Sequence, residues 1–322
     1  MNKFSNIHDN RPCIGIDTGK DQLDICADLT QQLFTCDNRP KDLRRLAKEL
    51  KEMNPRLIVL EASGGYERAA VTAFSELSLP VAVVYPKRVR QFARGLGIIA
   101  KTDKVDARVI AYYARVADPA PTPPKTAELS ALEALTSRRA QLIEMRLSEQ
   151  NRIELAHPSI QKEIKQHVAW IERQIAKTDA EIERQIRESN TWHQTDELLR
   201  SLPGVGPVLS STLITDMPEL GSLTSKEVAA LAGVAPFPRE SGRWKGKRIC
   251  QGGRYYVRRV LYMATIAATR FNPVIKNLYD RLCQRGKPKK LAIIACARKL
   301  LVILNAMTKN NSPWSPKTFV TG

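Results

Sequence analysis

The chain has 322 residues, 43% of them hydrophobic, and a net charge of +18, so it has apolar material for a buried core and length for two or three domains. Residues 1–125 carry 20 basic and 15 acidic side chains, residues 126–195 carry 10 and 11, and residues 196–322 carry 21 and 7, a net of +14. A surplus gathered in one third of a chain is the usual electrostatic footprint of a nucleic-acid partner, against the plainer reading of a basic soluble surface, and is out of place in a metabolite kinase. No apolar run reaches the roughly 18 residues of a membrane span. The first ten residues, MNKFSNIHDN, lack the apolar stretch of a signal peptide, so a cytoplasmic protein without a membrane partner is expected. The six cysteines (13, 26, 36, 250, 283 and 296) form no C-x-x-C pair, which argues for reduced, buried thiols and against structural zinc.

In chain order, CIGIDTGKDQLDICAD (13–28) places two apolar stretches around a turn-rich centre, the pattern of a hairpin. A helical pattern follows at about 40–53. LIVLE (57–61) is the continuous apolar run of a buried strand, ERAAVTAFSEL (67–77) a helix, and PVAVVYP (80–86) another strand. Residues 87–116 read as helical with a break near Gly95 and Gly97. Strands alternating with helices predict an α/β domain over 1–118. The Pro-rich stretch PAPTPP marks a stiff linker, placed at 119–126. Beyond it, 127–195 reads as two long helices joined at His157-Pro158. Ile164, Val168, Ile171, Ile175, Ile182 and Ile186 recur at helical spacings, as in a helical hairpin or coiled coil, although an ordinary bundle helix gives the same stripe. The last region, 196–322, opens on SLPGVGPVLSSTLI, a glycine-rich turn between apolar helices. Such a turn either holds a nucleic-acid phosphate on backbone N–H groups, through Gly204 and Gly206, or simply starts a helix at Pro207. A loop rich in Gly, Arg and Lys is expected over 235–254, then helices at about 255–270 and 289–307.

Four carboxylates stand out in the first domain. Asp17 ends the first apolar strand, Glu61 ends LIVL, and Asp103 and Asp106 lie three apart in KTDKVDARVIAYYAR, on one face of a helix. Each has an ordinary explanation: a turn, an ion pair, a helix cap, a solvated surface. Together they form the all-oxygen donor set that a hard divalent cation requires. Two such cations can bind the attacking and leaving oxygens of a phosphodiester. GLGIIAKT (95–102) is not a P-loop, because the Gly immediately before Lys101 is missing. GIDTGK has no second phosphate loop to make a sugar kinase of the chain.

The order Asp, Glu, Asp, Asp resembles the RuvC-like branch of the ribonuclease-H fold. More closely, GIDTGK, LEASGGYE and AKTDKVDARVIA resemble the N-terminal half of the DEDD insertion-sequence transposases, the bridge-RNA-guided recombinases. SLPGVGPVLSSTLITDMPE, ALAGVAPFPRESGRWKGKRICQGGRYYVRRVLYMATIAA and KPKKLAIIACARKLL resemble their C-terminal transposase domain, so the resemblance spans nearly the whole chain in consistent order. It implies an α/β, RuvC-like ribonuclease-H fold domain, then a long helical hairpin or coiled coil, then a mainly α-helical C-terminal domain. It also implies that Asp17, Glu61, Asp103 and Asp106 bind Mg2+, which Mn2+ could replace, and that Ser241 is the nucleophile. The residues alone would not single out that serine, since a loop serine is usually just polar. Its neighbours Arg239, Arg243, Lys245, Lys247 and Arg248 would meet a phosphate with cationic donors, and Arg254, Arg258 and Arg259 extend the basic surface.

The implied activity is site-specific DNA recombination. Ser241 attacks a DNA phosphodiester, forms a phosphoserine link and releases a 3′-hydroxyl, and the reverse step at a second DNA rejoins the strands. The implied partners are donor and target DNA, a structured non-coding guide RNA, and further copies of the chain, as a dimer and as a tetramer in the synapse. The implied location is the bacterial cytoplasm, at the nucleoid when acting. Two alternatives stand beside this. One is a RuvC-like two-metal nuclease or transposase that uses water. The other is a non-catalytic DNA- or RNA-binding architectural protein, which makes no demand on the carboxylates.

Overall fold

The structure is a computed structural model that describes residues 9–98, 102–123, 125–238, 240–241, 244–246 and 248–315. The side chains of Asp103, Lys104, Trp244 and Lys245 fall outside the description. The chain divides into two compact units, Met1–Lys125 and Thr126–Gly322.

The first unit is built on five strands: β1 (Cys13–Thr18), β2 (Gln22–Ala27), β3 (Leu33–Asp37), β4 (Leu57–Glu61) and β5 (Val81–Val84). They form one mixed sheet in the order β3-β2-β1-β4-β5. β1, β2 and β3 make an antiparallel meander, while β4 and β5 join β1 in parallel. Strand alternation sends Ile14 and Ile16 to one face, where they pack with Leu43, Leu46 and Leu50 of α1 (Pro40–Glu52) and Phe74 of α2 (Arg68–Glu76). Cys13, Leu57 and Val59 go to the other face, against Val89 of α3 (Pro86–Gly95) and Ile110 of α4 (Asp103–Ala117). This mixed sheet, an antiparallel meander continued by two parallel strands and covered on both faces, is the ribonuclease-H-like domain that the resemblance implies. The hairpin, the LIVLE strand and the helical break before α4 stand as expected. β3 was not anticipated, because LFTCD is only five residues long and shows neither a continuous apolar run nor strict alternation.

The second unit begins with two long helices, α5 (Ala127–Leu155) and α6 (Pro158–Glu188). His157 caps α6, its ring nitrogen accepting from the Ser159 N–H, and Pro158 occupies the first turn, where its missing donor costs nothing. Val168, Ile171, Ile175, Ile182 and Ile186 of the expected stripe are buried. The remaining helices are α7 (Asn190–Arg200), α8 (Pro207–Asp216), α9 (Ser225–Leu231), α10 (Tyr255–Phe271), α11 (Pro273–Gln284) and α12 (Lys289–Asn310). The expected boundary at 195/196 falls inside α7, and one continuous core joins Leu132, Ile182 and Ile186 to Leu209, Leu261 and Leu300. The lower half of the hairpin is thus packed into the C-terminal helices. α12 is long and apolar enough to cross a membrane by length and composition. Cys296, Leu300, Leu301 and Leu304 lie in that same core, which accounts for its apolar character.

The region expected as a loop over 235–254 contains four short strands. β6 (Pro236–Phe237) pairs with β9 (Ile249–Cys250), and inside them β7 (Glu240–Ser241) pairs with β8 (Trp244–Lys245). The described residues thus form two separate two-stranded antiparallel pairs, which backbone hydrogen bonds hold despite the lack of apolar alternation.

Candidate active site

β1 and β4 run in parallel with Ile16 opposite Leu60, so Asp17 and Glu61 each stand one step further, side by side at the carboxyl ends of neighbouring strands. Neighbouring strands lie about 4.8 Å apart. Asp17 shares its face with Cys13 and Gly15, and Glu61 shares its face with Leu57 and Val59. Cys13, Leu57 and Val59 all pack in the core beneath α4, so both carboxylates belong to the α4 side, and both are half-buried.

Gly15 sets how close α4 comes. A Cβ at this position would lie 2.7 Å from Ala111 Cα and closer still to Ala111 N and Ala107 O, so only glycine lets the helix rest on the strand. Arg115, near the far end of α4, fixes its direction. Its Nε donates to Asp28 Oδ2 at 2.6 Å and its Nη2 to the Arg11 carbonyl at 2.8 Å, just before β1 begins. α4 therefore runs opposite to β1, and its first turn lies toward the Asp17 end. That first turn carries Asp103 as its first residue and the half-buried Asp106, whose N–H donates to the Thr102 carbonyl at 2.8 Å. Thr102 caps the helix by accepting from the Val105 N–H at 3.4 Å.

The fold thus brings the four predicted carboxylate positions to one edge of one sheet face. Among the described residues no three His, Cys, Asp or Glu side chains are grouped tightly enough to hold a metal ion; the Asp103 side chain lies outside them. The donor set is all carboxylate, the hard-oxygen chemistry of a divalent cation such as Mg2+.

Three residues at this edge were missed by sequence reasoning. Asp24 on β2 lies directly opposite Asp17 in the antiparallel pair, which puts a further half-buried carboxylate on the α4 side. The alternation in QLDICA, with Leu23 and Ile25 buried on the other face, could have revealed it. Asn38 ties two loops together: its Nδ2 donates to the Gly19 carbonyl at 3.0 Å and the Tyr66 carbonyl at 3.1 Å. Those loops follow Asp17 and Glu61. Glu67 shapes the second one, its Oε2 accepting from Ser63 N at 3.0 Å, Ser63 Oγ at 2.9 Å and Gly65 N at 2.9 Å. Burial pushes the Glu67 carboxyl up, but these hydrogen bonds outweigh it and hold the group below its ordinary value.

Ser241 lies in the second unit, exposed on β7 and paired with Trp244. Arg248 is exposed nearby. Arg239, Arg243, Lys247 and the Lys245 side chain lie outside the described residues. The expected nucleic-acid residues divide into two kinds. Arg254 has a structural role: it holds Glu219 through two 2.7 Å contacts and donates to the Asp216 carbonyl at 2.7 Å. Gly204 is likewise needed for packing, since its φ is 101° and a Cβ there would lie 2.6 Å from Ala268 Cα. Gly206, by contrast, is the open N-cap of α8 with no neighbour in the way. Arg258 donates to the Gly252 carbonyl at 2.7 Å and Arg259 pairs with Glu144 at 3.0 Å, and both residues are half-buried.

A ribonuclease-H-like sheet with acidic residues gathered at its strand ends defines the class: an enzyme that acts on nucleic-acid strands. Residues 14–156 match a transposase model of the IS110 DEDD type, and residues 196–280 match the model described as transposase IS116/IS110/IS902 family. The chain belongs to this transposase family and is an enzyme acting on DNA. It is 29% identical over 315 residues to the pilin gene-inverting protein of Moraxella bovis, covering 94% of this chain and 98% of that one. An uncharacterized 42 kDa protein of insertion element IS900 from Mycobacterium paratuberculosis is 32% identical over 155 residues, 46% of this chain and 37% of that one. Among solved structures, T. thermophilus RuvC in complex with a Holliday junction substrate is similar at 19% identity and a TM-score of 0.27, covering 35% of this chain and all of that one. The sheet order and strand senses, independent of that likeness, carry the fold assignment.

Proposed function

We propose that this transposase cuts and rejoins DNA through Ser241, with Asp17, Glu61, Asp103 and Asp106 holding Mg2+ and a structured RNA choosing the sequence. The observation that carries the metal part is the placement of Asp17 and Glu61 side by side on the sheet face that α4 covers, with Asp106 in the helix's first turn. Bound there, the cation would neutralise charge on the scissile phosphate. Ser241 Oγ attacks phosphorus, the new O–P bond replaces the P–O3′ bond, the serine proton passes to solvent, and the 3′-oxygen leaves as a hydroxyl. The phosphodiester energy is kept in the serine link, so rejoining needs no external energy source. Exposure of Ser241 on a ribbon within a strongly basic third supports that role. A guide RNA fits the +14 surplus, because base pairing would then choose the site while the protein holds backbones. The hairpin of α5 and α6 would join protomers into a dimer, paired again in the synapse.

The DEDD family match and the carboxylate placement also favour a second reading, hydrolysis by metal-activated water with Ser241 only binding phosphate. The two separate cleanly. On the serine reading, Ser241→Ala binds DNA normally but neither cleaves nor forms a covalent adduct, and digestion of a trapped wild-type reaction yields a nucleotide-bearing Ser241 peptide. Cleaved DNA without any adduct, together with an active Ser241→Ala variant, transfers the chemistry to the carboxylates and water.

A further inference from the structure

The second unit contains an open cavity of about 990 Å³ between α5, α8, α10 and α12. Its floor is apolar, with Ile143, Leu147, Met263 and Ile294 among its lining residues. Three lining side chains are unusually exposed for their type: Tyr255 at 65%, Met263 at 62% and Leu147 at 51%. The rim is cationic. Arg146 and Lys290 line the cavity, and neither is paired with an acid among the described residues. The Arg146 Nε is buried without a hydrogen-bond partner. Gly206, Pro207 and Val208, the start of α8, form one wall. The N–H groups of that first turn have no intrahelical acceptor, and Gly206 has no side chain to cap them. Arg258 already sits over the Tyr255 ring, 5.7 Å from its centroid.

We infer that this groove binds a single-stranded nucleic-acid segment, with a phosphate at the α8 N-terminus and Arg146 and an unpaired base on the apolar floor beside Tyr255 and Met263. The inference rests on the reading of the chain as a nucleic-acid recombinase, and adds an unpaired-strand site to it. Uncapped helix N-terminal N–H groups and unpaired cations are phosphate chemistry. Exposed tyrosine and methionine are not: a duplex offers phosphates and base edges, whereas an unpaired base offers a flat apolar face to stack. The volume suits one or two nucleotides, since sites of roughly 300–1,000 Å³ enclose ligands of that size. A second copy of this chain is the poorer occupant, because its C-terminal third brings the same +14 surplus to a rim that is already positive. DNA and RNA strands share this chemistry.

The test uses the full chain and fluorescein-labelled 12-nucleotide strands of one sequence, as DNA, as RNA and as a duplex, read by anisotropy over a salt series. Strands carrying 4-thiothymidine or 4-thiouridine are then photocrosslinked and the peptides mapped. Single strands bind more tightly than the duplex, and crosslinks fall on the peptides holding Tyr255 and Met263. Arg146→Met weakens strand binding about tenfold and lowers the salt slope by about one. Tyr255→Ala and Met263→Glu, both at exposed positions where the fold has little to lose, weaken it about fivefold or more, the loss of one stacked base. A preference for DNA or for RNA identifies which strand occupies the groove. Crosslinks confined elsewhere, or duplex bound as well as single strand by all variants, overturn the inference. So does a Met263→Glu chain whose strand affinity is unchanged while its sedimentation reports lost self-association, which would make the groove an interface between copies. A failed Ser241 adduct with intact groove crosslinks defeats only the serine mechanism, and the converse result defeats only the groove.

Discussion

Replacing Gly15 with alanine should disable DNA cleavage without touching any residue that contacts DNA or metal. A Cβ at this position would stand 2.7 Å from Ala111 Cα, with Ala111 N and Ala107 O nearer. Non-bonded carbons rest at about 3.5–4.0 Å. α4 must therefore retreat from β1 by about 1 Å, carrying Asp103 and Asp106 with it while Asp17 and Glu61 stay on the sheet. Over-packing of this kind costs about 1–3 kcal/mol of stability. A misplacement of about 1 Å in a catalytic constellation costs on the order of 100-fold in rate. Gly15→Ala should thus remain folded, with a modestly lower urea midpoint, and lose about 100-fold in metal-dependent cleavage of a DNA substrate. All three near atoms are backbone, so Ala111→Gly should not rescue it. Wild-type cleavage by Gly15→Ala, or rescue by Ala111→Gly, would refute the seating of α4 as the device that assembles the site.

Two further outcomes follow from the same unit. The Glu67 carboxyl lies below its ordinary 4.5, so it stabilises the fold fully above that pH and progressively less as pH falls below 4.5 through its depressed folded value. Glu67→Gln should lower the urea midpoint at pH 7 more than at pH 4, and a midpoint difference that is the same at both pH values would count against it. Arg115 and Asp28 form an ion pair whose side chains are only 9% and 7% exposed. Removing one partner strands the other, so Arg115→Met should cost about 3–5 kcal/mol. Denaturant titration should show part of that loss recovered when Asp28→Leu is added.

Much of the first unit was legible because its signals are local. Continuous apolar runs gave β4 and β5, the turn-rich centre of CIGIDTGKDQLDICAD gave the β1–β2 hairpin, and glycines marked the break between α3 and α4. The four carboxylates stood out by place, at two strand ends and three apart on one helix, and the resemblance then assigned them a shared role. What stayed hidden depends on pairing rather than pattern. β3 is held by hydrogen bonds to β2 along a short sequence without a strand pattern, and the β7–β8 pair that carries Ser241 is held the same way. The expected boundary at 195/196 marks a shift in polarity that the packing does not follow: Trp192 and Leu199 of α7 join the same core as α8 and α12.

Asp24 shows most sharply what spacing leaves out. Spacing along a helix put Asp103 and Asp106 together, since three residues make nearly one turn. No spacing rule joins Asp17 to Asp24, because the hairpin's register decides which residues face each other, and a slip of one residue would move Asp24 to the opposite face. The register is fixed by burial: Leu23 and Ile25 must enter the core with Ile14 and Ile16, which leaves Asp24 on the α4 side with Asp17. Like charges placed opposite each other are unfavourable by about 0.2–1 kcal/mol relative to a neutral pair. The hydrophobic demand of four buried side chains is larger than that by several-fold. The core therefore dictates the register, and the register gathers carboxylates at the carboxyl end of β1, where only a cation, a hydrogen-bond donor or a proton could offset their repulsion.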